Sequence, residues 1–146
     1  MMIRNDTMLP KISAGISITG DDFSYSYVSG KLGIDATNWR TKDDWPDAIK
    51  TNNELPNYLK PRTVWEFYTE REYSDSIDIQ VRKIFNKFYM KADIINELCN
   101  ELGLCVGFGV EIFVQTDNRP EIVLEKDIIA FLAKINAPIA IGIYVE

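Results

Sequence analysis

Carboxylates are the side chains of this sequence with the clearest capacity for chemistry. Asp21 and Asp22 follow a strand-like segment, and Asp43 and Asp44 lie in a polar segment. Clustered carboxylates can hold a divalent metal or carry out acid–base catalysis. A simpler interpretation exists for each pair, because the first can cap the following helix and the second alternates with lysines in a solvated loop. We therefore expect no catalytic residue and no metal ligand here, and keep carboxylate chemistry as an alternative.

Other kinds of catalytic and cofactor site are poorly supported by the residue types present. The 146 residues include no histidine, which excludes Ser-His-Asp and Cys-His arrangements and removes the commonest zinc ligand. Gly107 and Gly109 lie inside a strand pattern, where they cannot hold a phosphate at a helix start. Cys99 and Cys105 lack metal-ligand spacing. We expect a protein that has no cofactor and is not an enzyme.

The charge and the apolar pattern indicate where the protein works. A net charge of -6 repels nucleic acid and anionic membranes and favours basic partners, although acidity can also serve solubility alone. The N-terminus does not resemble a signal peptide, and no apolar stretch is long enough to span a membrane. We expect a cytoplasmic protein that binds neither nucleic acid nor membrane. A chain of this length suits one domain, which we place at 10–146. We expect residues 1–9 to form a flexible N-terminal tail.

The spacing of apolar residues predicts the elements that must position any site. Alternation with a period of two predicts strands, at 11–19, 62–71, 104–115 and 139–145, with a short further strand at 121–124. Spacing of three and four predicts helices, at 22–32, 75–102 and 125–135. The segment 35–61 has little periodicity and is predicted as a long loop, which has room for a short helix at 43–50.

The resulting element order, β-α-loop-β-α-β-(β)-α-β, predicts an α+β fold. Such an order favours a single twisted, mainly antiparallel sheet of four to five strands with helices packed on one face. Within that class, a ferredoxin-like arrangement is the first expectation.

Three predicted strands carry one apolar face and one face of small residues. We expect the apolar faces to lie under helices and the small faces, which include Gly107, Gly109 and Gly142, to point away from them. Aromatic side chains at the edge would make such a surface suitable for recognition. The candidate partner-binding residues are Trp39, Trp45, Trp65, Phe67, Gly107, Gly109, Glu111, Phe113 and Tyr144. Alternatively, the 35–61 loop folds across this face and fills it with Trp39 or Trp45.

Several local motifs resemble those of one protein family. They are the strand-to-helix junction at 18–23, the Leu-Gly-Ile triplet at 32–34, Ala-Thr at 36–37 with Trp39, Trp65 in the second strand, and the ending over 124–144. In these features the chain resembles domain-of-unknown-function family 4279, but its loop at 41–61 is longer. The resemblance implies a small single-domain α+β bacterial protein and transfers no activity.

These observations favour a non-catalytic binding protein. The first hypothesis is an immunity-type protein that neutralises a bacterial toxin, because an acidic protein gains association rate toward a basic toxin domain. The second is a small-ligand-binding or regulatory module with the small-residue face as its pocket. The third is a carboxylate- or metal-dependent enzyme. A homodimer through a sheet face or edge is compatible with all three.

Overall fold

A computed structural model of the chain describes residues 9–56, 60–115 and 117–146. The strands are β1 (Lys11–Gly20), β2 (Asn38–Arg40), β3 (Thr63–Tyr68), β4 (Glu72–Tyr73), β5 (Cys105–Val114) and β6 (Ile139–Val145). The helices are α1 (Tyr25–Leu32), α2 (Asp47–Lys50), α3 (Asp78–Phe88), α4 (Ala92–Leu102) and α5 (Lys126–Lys134), with 3₁₀ turns at Lys42–Asp44 and Tyr89–Lys91. The predicted tail lies outside the described residues apart from Leu9.

The strands form one sheet in the order β2-β3-β1-β5-β6, and β4 also pairs with β1. Neighbouring strands are antiparallel except for β5 and β6, which are parallel. The predicted α+β class with one mainly antiparallel sheet is confirmed, and the described residues supply six strands instead of the predicted four to five. A ferredoxin-like sheet contains split β-α-β units. Because β5 and β6 are direct neighbours, the strand order differs from that arrangement.

The second predicted strand, 62–71, is divided by a bulge. Residues 69–71 stand opposite only two residues of β1. At this point the Thr69 amide donates to the Ala14 carbonyl at 2.8 Å, and the Ala14 amide donates to Thr69 Oγ1 at 3.0 Å. One extra residue on one strand is the defining feature of a β-bulge, which bends the strand. The predicted strand therefore becomes β3 and β4, joined by a bend.

The core lies between one face of the sheet and the helices. Alternate residues of β1, namely Ile12, Ala14, Ile16 and Ile18, are fully buried, and so are the inward stripes of α3 and α4. Burying these side chains removes apolar surface from water, which is the main force that holds the layers together. None of the described helices has the length and apolarity that a bilayer crossing requires.

Helix α1 starts later than predicted. Its N-cap is Ser24, whose hydroxyl accepts a hydrogen bond from the Tyr27 amide at 3.2 Å. The prediction that Asp21 and Asp22 cap this helix is therefore wrong, because both precede the cap position. Gly33 ends the helix in the left-handed conformation with φ 68°, as predicted, since glycine adopts it without strain.

The long predicted helix over 75–102 is two helices. A 3₁₀ turn at Tyr89–Lys91 separates α3 from α4, with Phe88 buried just before it. Phe88 packs edge-on against Trp65 and Phe67, with ring centroids 6.3 and 5.7 Å apart. The buried stripe continues on both sides of the break, so the apolar spacing alone could not reveal it.

The apolar side of β6 is only partly covered. Ile139 packs against the core, but Ile141, Ile143 and Val145 are 39%, 54% and 82% exposed. The prediction that this whole row lies under helices is therefore wrong. The physical reason is position, because β6 is the outermost strand of the described sheet and has a neighbour on one side only.

Candidate functional site

The sheet face opposite the helices is the candidate site, and we call it the open face. The strand register brings together on this side the residues that alternate with the buried ones. The central residues of the open face, from the four longest strands, are Ser13, Gly15, Ser17, Glu66, Tyr68, Gly107, Gly109, Glu111, Phe113, Ala140, Gly142 and Tyr144, and Lys11, Thr19, Val64 and Cys105 extend it at the strand ends. This is the small-residue face expected from the sequence, with Tyr68 and Glu66 added by β3.

Tyr68 covers the middle of the open face. Gly15 lies opposite Tyr68 on one side and opposite Gly109 on the other. A Cβ atom on either glycine would come within 3.0 Å of the Tyr68 side chain. The two glycines therefore make room for the tyrosine ring of a neighbouring strand. By contrast, a Cβ atom on Gly107 would meet nothing within 4 Å.

Two carboxylates flank Tyr68. Glu66 accepts hydrogen bonds from Asn38 Nδ2 at 2.9 Å and from Ser17 Oγ at 3.3 Å, and Glu111 accepts one from Ser13 Oγ at 3.5 Å. Between them lies a cleft of ≈ 260 Å³, lined by Ser13, Thr37, Asn38, Glu66, Tyr68, Thr69, Arg71 and Glu111. A carboxylate has about four acceptor positions, so both glutamates can accept further donors.

The surroundings of Tyr68 favour the protonated form of its phenol. Partial burial raises the pKa of the Tyr68 phenol, and the negative charges of Glu66 and Glu111 raise it further, whereas a hydrogen bond with Ser17 lowers it. A neutral phenol offers both a donor and an acceptor. The cleft thus combines a hydroxyl group with two carboxylates and the Arg71 guanidinium, and its excess of negative charge suits a cationic, hydrogen-bond-donating group.

A stack of planar groups lies beside the cleft. The Arg71 guanidinium is 3.7 Å from the centroid of the Phe113 ring, and Phe113 stacks on Tyr144 with ring centroids 5.1 Å apart. A guanidinium over an aromatic face is attracted by the ring quadrupole. Tyr144 is 48% exposed, so the outer layer of the stack is available to a partner. Tyrosine and arginine are among the residue types most enriched at energetically important interface positions.

Five of the predicted partner-binding residues lie together on the open face: Gly107, Gly109, Glu111, Phe113 and Tyr144. Trp65 and Phe67 do not, because they pair with Ile18 and Ile16 and point into the core. Trp65 is fully buried, and its indole Nε1 donates to Ser29 Oγ at 2.9 Å. The prediction that Trp65 and Phe67 project onto the small-residue face is wrong.

The two tryptophans of the loop region lie elsewhere. Trp39 is on the helix side of β2 and stacks on Tyr25 with ring centroids 4.8 Å apart. Trp45 donates from its indole to the Arg62 carbonyl at 2.9 Å, and Arg40 lies over its ring. These contacts place Trp45 at the beginning of β3. The middle of the open face is filled by Tyr68, and not by a loop tryptophan.

The candidate aspartates are not gathered into one site. Asp21 and Asp43 line a cleft of ≈ 640 Å³ that also contains the cations Lys42, Lys50, Lys60 and Arg62. The carboxylate of Asp44 accepts hydrogen bonds from the amide and the hydroxyl of Thr41, which lower its pKa. Asp22 is exposed. Among residues that the structure describes, no group of three or more histidine, cysteine, aspartate or glutamate side chains could hold a metal ion.

Glu66, Tyr68 and Arg71 contribute to the open face but were not among the residues predicted for it. A signal for the first two was present, because they alternate with Trp65 and Phe67 and must point the opposite way once those are buried. No comparable signal existed for Arg71, which follows the bulge, where alternation is interrupted.

Fold and site together define a small α+β domain whose sheet is covered by helices on one face and presents a polar and aromatic surface on the other. The chain belongs to the family described as domain of unknown function DUF4279, whose model matches residues 10–146. The resemblance drawn from local motifs is thereby confirmed. No curated protein and no solved structure shows significant similarity to the chain.

Proposed function

We propose that the protein is a non-catalytic binding protein of the immunity type, which neutralises a bacterial toxin in the cytoplasm by binding it through the open face. The observation that carries the proposal is the composition of this face. Arg71, Phe113 and Tyr144 form a stack of planar groups, which lies next to a cleft that contains Tyr68 and two carboxylates. Such a combination suits a protein partner, because aromatic anchors beside polar groups dominate interface energetics.

Charge supports a basic partner. The chain carries a net charge of -6, and the cleft on the open face contains two carboxylates, Glu66 and Glu111, against one cation, Arg71. A lysine or arginine of the partner that enters the cleft would form charge-assisted hydrogen bonds, which are about twice as strong as neutral ones. Toxin domains that act on nucleic acid need positive surfaces to bind it. An acidic inhibitor of such a domain gains association rate from the opposite charges.

The proposal is tested with any toxin-like domain that the neighbouring genes encode. We expect the purified proteins to bind tightly in biolayer interferometry, and co-expression to restore growth to cells that make the toxin. Tyr144→Ala and Glu111→Arg should each weaken binding roughly tenfold or more, because the first removes the exposed anchor and the second reverses a charge.

Tyr89→Ala is the matched control for this experiment. Tyr89 is as exposed as Tyr144 and also stacks on a phenylalanine, Phe85, but it lies in the helix layer. This variant should bind like the unchanged protein. Absence of binding and of protection would refute the immunity function, and equal weakening by the control would refute the assignment to the open face.

A small-ligand-binding module is the second candidate, favoured by the cleft beside Tyr68. Its two carboxylates and Arg71 suit a small ligand that carries both positive and negative groups. The volume of ≈ 260 Å³ lies just below the range of roughly 300–1,000 Å³ common for ligand pockets, so this function ranks second. A thermal-shift screen with amino acids and related zwitterions tests it. Stabilisation that Glu111→Gln abolishes would support it, and no stabilisation would count against it.

A further inference from the structure

The free edge of β6 presents an uninterrupted row of backbone groups. In the parallel ladder with β5, the Phe108 amide donates to the Pro138 carbonyl at 2.9 Å, and the Glu146 amide donates to the Val114 carbonyl at 2.8 Å. In a parallel ladder, every second residue of a strand forms backbone hydrogen bonds to a given neighbour. Since Pro138 and Glu146 bond to β5, the residues at the same two-residue spacing between them, Ala140, Gly142 and Tyr144, also bond to β5. The amides and carbonyls of the intervening residues point away from it, at Ile139, Ile141, Ile143 and Val145.

The two outer edges of the described sheet differ in their protection. The edge strand β2 has three residues and carries Arg40, and short or charged edge strands discourage pairing. β6 has seven residues, and Ile139–Val145 contains no charged residue and no proline. A long, apolar and regular edge strand is a ready template for another strand. The side chains of Ile141, Ile143 and Val145 point toward the helix side of the sheet and are also exposed.

We propose that two copies of the chain pair through β6, antiparallel, about a two-fold axis at Gly142. In this register Ile141 lies opposite Ile143 of the second copy, and Ile139 lies opposite Val145 of the second copy. Every residue with outward backbone groups then meets another such residue. Four residues with one N–H and one C=O group each make eight hydrogen bonds across the interface, counting both copies.

The side chains of β6 are self-complementary in this register. On the helix side, the exposed isoleucine rows of the two copies meet, which buries apolar surface. On the open face, Gly142 lies opposite Gly142 of the second copy, and Tyr144 lies opposite Ala140 of the second copy. The Tyr144 ring already leans over Gly142. Small residues thus face the large ones, which leaves room for both tyrosine rings near the axis.

Charge does not oppose pairing with a second copy at this edge. Each chain carries a net charge of -6, so two copies repel wherever charged surfaces meet. No charged residue lies within Ile139–Val145, and the edge is therefore the part of the sheet where this repulsion is weakest. The axis is perpendicular to the sheet, so the two open faces lie on the same side of the dimer.

Sedimentation velocity over a wide concentration range tests the proposal. We expect a monomer–dimer equilibrium for the unchanged chain. Ile143→Lys and Ile141→Glu should each weaken the dimer roughly tenfold or more, because each buries an unpaired charge. Mixing the two variants should restore association, since the new lysine of one copy faces the new glutamate of the other only in the register centred on Gly142. Met90→Lys, at a 75% exposed site outside the sheet, is the control.

Defined results would overturn the proposal. A chain that stays monomeric at the highest soluble concentration refutes it, as does a dimer that Ile143→Lys leaves intact. Variants that remain folded by circular dichroism but fail to associate on mixing refute the register. Toxin binding is measured separately with Glu111→Arg, a change on β5 and not on the free edge of β6, so either proposal can fail without the other.

Discussion

Three glycines of the open face have different surroundings. A Cβ atom on Gly15 would lie 2.5 Å from the Phe67 carbonyl oxygen as well as against the Tyr68 ring. On Gly109 its closest neighbour is the Tyr68 hydroxyl, the far end of a side chain that can move. On Gly107 it would meet open space. The backbone contact at Gly15 cannot be relieved without shifting a strand, which makes this glycine the most constrained of the three.

These differences predict an order of stability among alanine variants. Gly15→Ala should lower the free energy of unfolding by about 1–3 kcal/mol, the usual cost of forcing extra volume into a packed site. Gly109→Ala should cost less, because the Tyr68 hydroxyl can shift, and Gly107→Ala should cost nothing measurable. Urea unfolding of the three variants gives the order directly. An equal loss of unfolding free energy at all three positions would contradict the described packing of Tyr68 over Gly15 and Gly109.

At the level of elements, an ion pair joins α3 to α5. Arg82 bonds both carboxylate oxygens of Asp127, with 2.9 Å between Nη2 and Oδ1, and Asp127 lies in the first turn of α5. The hydrogen bond from Arg82 is the main cause of the lowered pKa of Asp127, and its charge adds to the effect. Both side chains are partly exposed, so solvent screens the pair and its contribution to stability is small.

This ion pair predicts a pH dependence of stability. The pKa of Asp127 is lower in the folded than in the unfolded chain, so its contribution is present above the unfolded pKa and is lost as pH falls through the folded pKa. Arg82→Gln should therefore lower the thermal midpoint at neutral pH, and the difference from the unchanged protein should shrink in acid. Thermal unfolding at a series of pH values measures this. A difference that is independent of pH would exclude the ion pair as its cause.

At the level of the whole molecule, the sheet is anchored at its centre and exposed at its edges. β1 pairs with β3 and β4 on one side and with β5 on the other, and α3 packs on its buried face. β2 is three exposed residues long. Releasing the amides of β1 requires most of the domain to open, whereas the outer segments can open locally.

This arrangement predicts a gradient of hydrogen exchange. The amides of β1 should exchange most slowly, close to the rate that global unfolding allows, while those of β2 and of the exposed segment 41–56, which includes the short helix α2, should exchange fastest. Exchange followed by mass spectrometry of peptides from the intact protein measures the gradient. Protection of β2 equal to that of β1 would contradict the described sheet order.

Local patterns in the sequence determined much of this protein. Alternation located the bounds of β6 and nearly those of β1 and β5, and Gly33 and Gly103 marked the ends of α1 and α4. These features depend on neighbouring residues, whose side-chain period and backbone freedom can be seen in the sequence itself. The same patterns indicated the fold class and grouped Gly107, Gly109, Glu111 and Phe113 on one face.

Strand pairing, which brings together residues far apart in the chain, decided the rest. Alternation shows which residues share a face, but only the register with β1 shows that Trp65 points into the core and Tyr68 onto Gly15. Likewise, the apolar row of β6 resembles that of β5 in sequence, yet its outer position leaves it exposed. Burial depends on what packs against a residue, and the tertiary structure alone determines that.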